Sequence, residues 1–162
     1  MYKKDFEIRW SDVDGNGHMA NSAYLNFMSH TRVGFLNSHG FSLKQLLQYG
    51  IGPVVFSENI HYFKESFLGQ TLTVTLAVSG LSDDGMFFKF EHNLYNQQGR
   101  HVATCDILGA WINLDTRQLT VLSEELRKQV AQFPKSPNFK VLTKADTRQG
   151  GKKPKDLVNE PL

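Results

Sequence analysis

Apolar and polar positions recur with two different periods along this chain. From about residue 22 to residue 37 the apolar side chains recur three or four positions apart, as on one face of a helix. The stretch FSLKQLLQYG, at 41–50, predicts a second, short helix that ends at Gly50. After Gly52 the period becomes two, and TLTVTLAV at 71–78 alternates leucine or valine with threonine or alanine. The chain therefore changes from helix to strand near residue 52.

The period of two predicts four long strands after a short first strand at residues 5–10. The long strands are predicted at 54–67, 72–78, 86–95 and 102–114, with turns at 83–85, 96–100 and 115–117. Ser123 opens a last short helix. One long helix set against an antiparallel meander predicts an α+β fold. Such a sheet leaves edges and apolar surface uncovered, so we expect association into dimers or larger assemblies.

Composition narrows the class of protein. The 162 residues are 40% hydrophobic and 21% charged, which fits one globular domain with a substantial core. Cys105 is the only cysteine, which excludes an internal disulfide and a zinc site built on cysteine pairs. No stretch approaches the length of a membrane span, and the start MYKKDFEIRW lacks the apolar region of a signal peptide. We therefore expect a cytoplasmic protein that does not enter the membrane.

Charge is concentrated at the end of the chain. Residues 134–162 hold seven Lys/Arg and three Asp/Glu, a net charge of +4, although the whole chain carries +2. Prolines and glycines punctuate this segment. We expect a domain at 1–133 and a basic tail at 134–162 that is poorly ordered or packed on the surface. A nucleic-acid partner for the tail is the less favoured interpretation.

The loop SDVDGNGHMANSAYL, at 11–25, resembles two ligand-binding motifs that the rest of the sequence does not support. It fills the early positions of a calcium loop, but the position of the bidentate glutamate is Ala23. It also contains G-x-G-x-x-A, but no acidic residue lies between Ser22 and Ser57, and no βαβ unit surrounds it. We expect neither calcium, nor any other metal, nor a dinucleotide here.

The same loop resembles hotdog-fold acyl-CoA thioesterases of the 4-hydroxybenzoyl-CoA thioesterase type. The matching residues are Arg9, Asp12-Val13-Asp14, Gly17-His18-Met19-Ala20-Asn21, Tyr24-Leu25 and Thr31-Arg32. The stretch IHYFKESFLGQTLTV, at 60–74, resembles the next landmark of that family, with Glu65 where proline is common. The resemblance implies one long central helix wrapped by a five- to six-stranded antiparallel sheet. It also implies a homodimer or a homotetramer, with an active site at a dimer interface, at the amino end of the helix.

By this resemblance Asp14 is the catalytic carboxylate. Thioester hydrolysis suits such a site because the thiolate leaves without prior protonation, its conjugate acid having a pKa of about 8.5. The chemistry then needs an activated water or a nucleophile, and donors for the carbonyl oxygen, which helix amides provide. The oxyanion loop and helix terminus are assigned to Gly17, His18, Met19, Ala20 and Asn21, and possible substrate or coenzyme A contacts to Tyr24, Glu58, His61 and Lys64.

Several alternatives stay open at this point. Asn21 or Ser22 is expected to cap the helix, and Asp14 on its own also fits a simple Asx-turn. Attack by water and direct attack by Asp14 are equally compatible with the sequence. The expected reaction is hydrolysis of an acyl-CoA or acyl-carrier-protein thioester, with no cofactor beyond the coenzyme A of the substrate. The rival is a non-catalytic hotdog protein that binds an acyl thioester or a protein partner.

Overall fold

A computed structural model describes residues 1–148 and 151–157 of the chain. Its helices and strands are, in chain order, β1 Tyr2–Glu7, α1 Asn21–Ser38, α2 Leu43–Tyr49, β2 Ile51–Tyr62, β3 Thr71–Ser82, β4 Phe87–Asn96, β5 His101–Asn113, α3 Glu124–Ala131 and β6 Lys135–Leu142. Short 3-10 turns follow β1 at Trp10–Asp12 and β6 at Lys144–Arg148. None of the helices in the described residues is long and apolar enough to cross a membrane.

The strands form one six-stranded sheet in the order β1-β3-β4-β5-β2. These five strands pair antiparallel, as the hairpin turns predict. β6 pairs with β3 in parallel from Val78 to Ser82, past the end of the β1 pairing at Leu76. One edge of the sheet is therefore shared by β1 and β6, and the other edge is β2.

α1 packs against one face of this sheet and forms the core with it. Its buried side chains, such as Phe27 and Met28, lie in one cluster with Leu72, Leu94 and Ile107 of β3, β4 and β5. A second cluster joins the end of α1 to α2 and α3, centred on aromatic residues that include Phe35, Phe41, Trp111 and Phe133. The core thus extends under three α-helices in the described residues, and the expectation of one central helix describes only α1.

The predicted elements are present, with shifted boundaries. β1 begins at Tyr2 and ends at Glu7, earlier than the predicted strand at 5–10. β2 ends at Tyr62, not at residue 67, because the amides of Phe63 and Lys64 both donate to the carbonyl of Val102 and the chain turns there. Gly50 ends α2 with a φ of 67°, as the sequence indicates.

The sequence did not predict β6, which lies in the segment assigned to a basic tail. Its Leu142 packs against Gly80 of β3 and the outer-face residues Phe87 and Ala110. Part of the tail is therefore a strand of the sheet. The domain boundary at residue 133 stays a prediction, and residues 149–150 and 158–162 of the tail lie outside the described residues.

Candidate active site

The loop between β1 and α1 is organised by Asp12. This buried carboxylate accepts hydrogen bonds from the backbone amide of Arg9 at 2.9 Å and from its Nε at 3.1 Å. Burial opposes ionisation, but the hydrogen bonds and charge of Arg9 outweigh it and lower the pKa of Asp12 below its usual value. The carbonyl of Asp12 also accepts the amide of Ala20 at 2.8 Å, which closes the loop.

Asp14 lies at the tip of this loop and uses only part of its hydrogen-bonding capacity. Its Oδ1 accepts the amide of Asn16 at 2.8 Å, which is the Asx-turn that the sequence allowed. Its Oδ2 lies 3.5 Å from Nδ1 of His18, and the Asp14 side chain is 33% exposed. Gly17 makes the reversal possible with a φ of 78°. One oxygen of Asp14 therefore holds the turn, while the other lies beside His18 and accepts no hydrogen bond from the turn.

α1 begins directly behind Asp14 without a side-chain cap. Its N-cap residue is Ala20, in an extended conformation, and no side-chain hydrogen bond caps this end. The prediction that Asn21 or Ser22 caps the helix is therefore wrong, because both residues lie inside the first turn, one and two positions after the N-cap residue. The amide of Ala23 donates to the carbonyl of Ala20 at 3.0 Å. The amides of Asn21 and Ser22 have no partner among the described residues, so they and the positive end of the helix dipole are left for a ligand.

The opposite wall of the site comes from the chain after β2. The amide of Met19 donates to the carbonyl of Ser66 at 2.7 Å, and His18 forms an isolated β-bridge with Phe67. These bonds fix the loop of Asp14 to the turn between β2 and β3. The ring of Tyr24, from α1, meets the ring of Tyr62 edge to face, with 5.1 Å between centroids.

Loop, helix terminus and wall enclose a cavity of about 450 Å³. It is lined by Asp14, His18, Met19, Asn21, Tyr24, Tyr62, Phe63, Lys64 and Glu65. The hydroxyl of Tyr24 is held in its protonated form, because burial raises the pKa of this phenol above its usual value. The site thus combines an accessible carboxylate, hydrogen-bond donors and an apolar wall.

Most of the candidate residues from the sequence line this cavity. The four that do not are Gly17, Ala20, Glu58 and His61. Gly17 and Ala20 shape the backbone beside the cavity. Glu58, on β2, lies 3.7 Å from Arg32 of α1, and His61 is exposed on the same strand.

Sequence reasoning missed three lining residues: Tyr62, Phe63 and Glu65. Tyr62 could have been predicted from the strand period, because it shares a strand face with Ile60, which packs against the core. Phe63 and Glu65 follow the end of β2, where the period no longer applies.

The described residues contain no cluster of three or more His, Cys, Asp or Glu side chains that could hold a metal ion. In the 11–25 loop, Asp12 pairs with Arg9, and Oδ1 of Asp14 accepts the amide of Asn16.

Solved structures with the same fold include a protein in complex with CoA and a probable thioesterase. A Staphylococcus aureus protein, SAV2348, in complex with CoA superposes with a TM-score of 0.76 at 22% identity, over 99% of this chain and 95% of the other. YbaW, a probable thioesterase from Escherichia coli, superposes with a TM-score of 0.73 at 26% identity, over 83% of this chain and all of the other. These neighbours confirm the α+β hotdog class.

Sequence relatives and the family model point the same way. The chain is 28% identical to the long-chain acyl-CoA thioesterase FadM of Escherichia coli, over 80% of this chain and 96% of that protein. It is also 28% identical to a 1,4-dihydroxy-2-naphthoyl-CoA hydrolase of Rippkaea orientalis, over 74% of this chain and 87% of that protein. The model of the thioesterase-like superfamily matches residues 8–130, and the chain therefore belongs to this superfamily.

Proposed function

We propose that this protein hydrolyses an acyl thioester, carried by coenzyme A or by an acyl-carrier protein, and that Asp14 is its catalytic carboxylate. The observation that carries the proposal is the position of Asp14: its partly exposed carboxylate and the uncapped start of α1 line the same cavity. The enzymatic class agrees with the superfamily and with the relatives, which are named as acyl-CoA thioesterases.

The reaction balances with water alone. Asp14 takes a proton from a water molecule as the water oxygen attacks the carbonyl carbon of the thioester. The carbonyl oxygen becomes an oxyanion, which the amides at the start of α1 stabilise. The intermediate then collapses to the acid as the C–S bond breaks and the thiolate leaves. The proton that Asp14 accepted passes to the thiolate through solvent, which restores the carboxylate. We propose no metal and no cofactor, because no electron transfer or further group is needed.

Direct attack by Asp14 is the alternative route, through a mixed anhydride that water then opens. The two routes differ in the fate of oxygen. A single turnover in H₂¹⁸O places the label in the released acid if water attacks the thioester. If Asp14 attacks, the first turnover leaves one ¹⁸O in the carboxylate of Asp14 when water opens the anhydride at the aspartyl carbon.

The other polar residues of the cavity have supporting roles in this proposal. His18 and Asn21 flank the reacting carboxylate at the helix terminus, and Tyr24 offers a phenolic donor. Lys64 extends a positive charge at the cavity, suited to the phosphates of coenzyme A. Glu58 and His61 do not line the cavity, and we assign them no contact with the substrate.

We further propose that two copies pair through β2 and that α1 is the central helix of the fold. β2 is the sheet edge beside the cavity, and it exposes Val55, Phe56 and Tyr62. An open strand edge with apolar side chains favours pairing with another copy. Size-exclusion chromatography with light scattering tests this assembly, and a monomer at micromolar concentration would contradict it. The cytoplasmic location stays a prediction from sequence.

The first experiment measures thiol release from short, medium, long and aromatic acyl-CoAs by the wild type, Asp14→Asn and Asp115→Asn. Asparagine at position 14 retains the oxygen that accepts the amide of Asn16, so it removes the charge without removing the turn. Asp115 lies in an exposed turn and is the matched control. We expect Asp14→Asn to lower kcat by about 10²–10⁴-fold and the control to match the wild type.

Two results would contradict the proposal. Full activity in Asp14→Asn would show that the carboxylate of Asp14 is not catalytic. No release from any acyl-CoA, nor from acyl-carrier-protein thioesters, combined with saturable binding of a non-hydrolysable thioether analogue, would favour the non-catalytic binding protein.

A further inference from the structure

We propose that Glu65 is a specificity-determining residue, which makes the cavity disfavour acyl groups that carry their own negative charge. The substrates selected are then neutral or cationic acyl thioesters, and ω-carboxyacyl thioesters are rejected. This inference rests on the proposed hydrolysis, because it concerns the acyl group that the same cavity accepts.

The position of Glu65 on the wall is the first observation. Glu65 lines the cavity together with Asp14, so two carboxylates border a space of about 450 Å³. The side chain of Glu65 is exposed, and no ion pair to it is formed among the described residues. The charge of Glu65 can therefore act on an acyl group that enters the cavity. Tyr24, across the cavity, responds to this charge, which contributes to the raised pKa of its phenol.

The backbone that carries Glu65 is fixed on both sides. Before it, the amides of Phe63 and Lys64 donate to the carbonyl of Val102 at 2.8 and 3.2 Å. After it, Ser66 is buried and its carbonyl accepts the amide of Met19, on the loop of Asp14. The two carboxylates are thus held on segments that are bonded to each other. A charge with a fixed backbone discriminates between ligands better than one on a mobile loop.

One positive charge in the cavity lining opposes the two carboxylates. Lys64 also lines the cavity, and it is the only lysine or arginine among the lining residues. Two carboxylates and one ammonium leave a formal charge of −1 from these three groups. An acyl group that carries its own carboxylate therefore meets net repulsion. Removing the charge of Glu65 weakens this repulsion, and removing the charge of Lys64 strengthens it.

The size of the effect follows from Coulomb's law. Two unit charges about 7 Å apart, in surroundings intermediate between protein surface and water, change a binding constant by about three- to tenfold. The repulsion acts alike on bound substrate and transition state, so it belongs in KM more than in kcat. It weakens with added salt, because exposed charges are screened.

The test compares hexanoyl-CoA with adipoyl-CoA, which has the same six-carbon chain and a terminal carboxylate. The readout is the ratio of kcat/KM for the neutral substrate to that for the charged one. We expect Glu65→Gln to lower this ratio by about three- to tenfold, through the KM for adipoyl-CoA, and Lys64→Gln to raise it. Glu124→Gln, on the exposed face of α3, is the charge-matched control and leaves the ratio unchanged.

The outcomes separate this inference from the proposed function. Hydrolysis of hexanoyl-CoA with a ratio that Glu65→Gln does not move overturns the role of Glu65 alone. An equal loss of kcat for both substrates in Glu65→Gln would assign Glu65 to the chemical step, and would also overturn its role in specificity. No thiol release from either substrate by the wild type overturns the hydrolysis of these acyl-CoAs and the inference with it.

Discussion

His92 makes the stability of this fold depend on pH. The side chain is fully buried on β4, and its Nδ1 lies 3.1 Å from the carbonyl oxygen of Thr75. Because a carbonyl oxygen only accepts, Nδ1 carries the proton, and Nε2 has no partner among the described residues. Burial first, and then the charge of Arg32, lower the pKa of His92 to about 3. The folded protein therefore holds this histidine neutral.

The sign and size of the effect follow from linkage. In the unfolded chain a histidine titrates near pH 6.5, so on acidification the unfolded state takes up a proton well before the folded state does. The stability contributed by neutral His92 is complete above about pH 6.5 and decreases as the pH falls towards the folded pKa of about 3. Each pH unit in this window costs about 1.4 kcal/mol, so about 2 kcal/mol is lost between pH 6.5 and 5.

Chemical denaturation at pH 7, 6 and 5 measures this loss in the wild type and in His92→Phe, at one fixed protein concentration. Fluorescence of the buried Trp111 reports unfolding. His92→Phe removes the titrating group, so its free energy of unfolding should fall by about 2 kcal/mol less than that of the wild type over this range. Carboxylates titrate equally in both proteins and cancel in the difference. Parallel pH profiles for the two proteins would refute the reasoning.

Three further outcomes are expected. Gly109→Ala should lower the free energy of unfolding by about 1–3 kcal/mol, because the added Cβ would clash with the carbonyl oxygen of Val54. Gly15→Ala, which has open space around it, is the control. Equal denaturation midpoints for the two variants would contradict the clash. Cys105 should not react with a thiol reagent at pH 8 in the native protein and should react once per chain in denaturant, because burial raises its pKa to about 11; fast native labelling would contradict this. Asp12→Asn should lower the midpoint of urea denaturation by the equivalent of about 1–2 kcal/mol, since it weakens the hydrogen bonds that close the loop; an unchanged midpoint would show that the loop closes without that charge.

The sequence predicted those elements that local rules determine. The period of α1, the glycine that ends α2, and the Asp-Asp-Gly turn before β4 depend on residues close together in the chain. β6 was missed because Pro134 and Pro137 suggested a loop, whereas its strand is stabilised by β3, more than fifty residues earlier in the sequence. A parallel partner at that distance leaves no local periodic signal.

The candidate site was predictable in part for the same reason. Asp14 and His18 are near neighbours in one loop, and their pairing was accessible from sequence. The far wall comes from Tyr62, Phe63 and Glu65, which reach the loop only through long-range bonds such as that from Met19 to Ser66. Strand period gives no information about Phe63 and Glu65, because both follow the end of β2.

Asp14 shows why the structural and the catalytic interpretations of one residue are compatible. An Asx-turn needs one carboxylate oxygen, and Oδ1 meets that need by accepting the amide of Asn16. Asp14→Ala loses the turn and the charge, whereas Asp14→Asn loses only the charge. If the two oxygens have separate roles, both variants lose activity alike, but Asp14→Ala is less stable by about 0.5–1.5 kcal/mol, the usual net contribution of one hydrogen bond. Equal stabilities, measured by urea denaturation, would mean that the turn forms without Oδ1, and that the carboxylate serves chemistry alone.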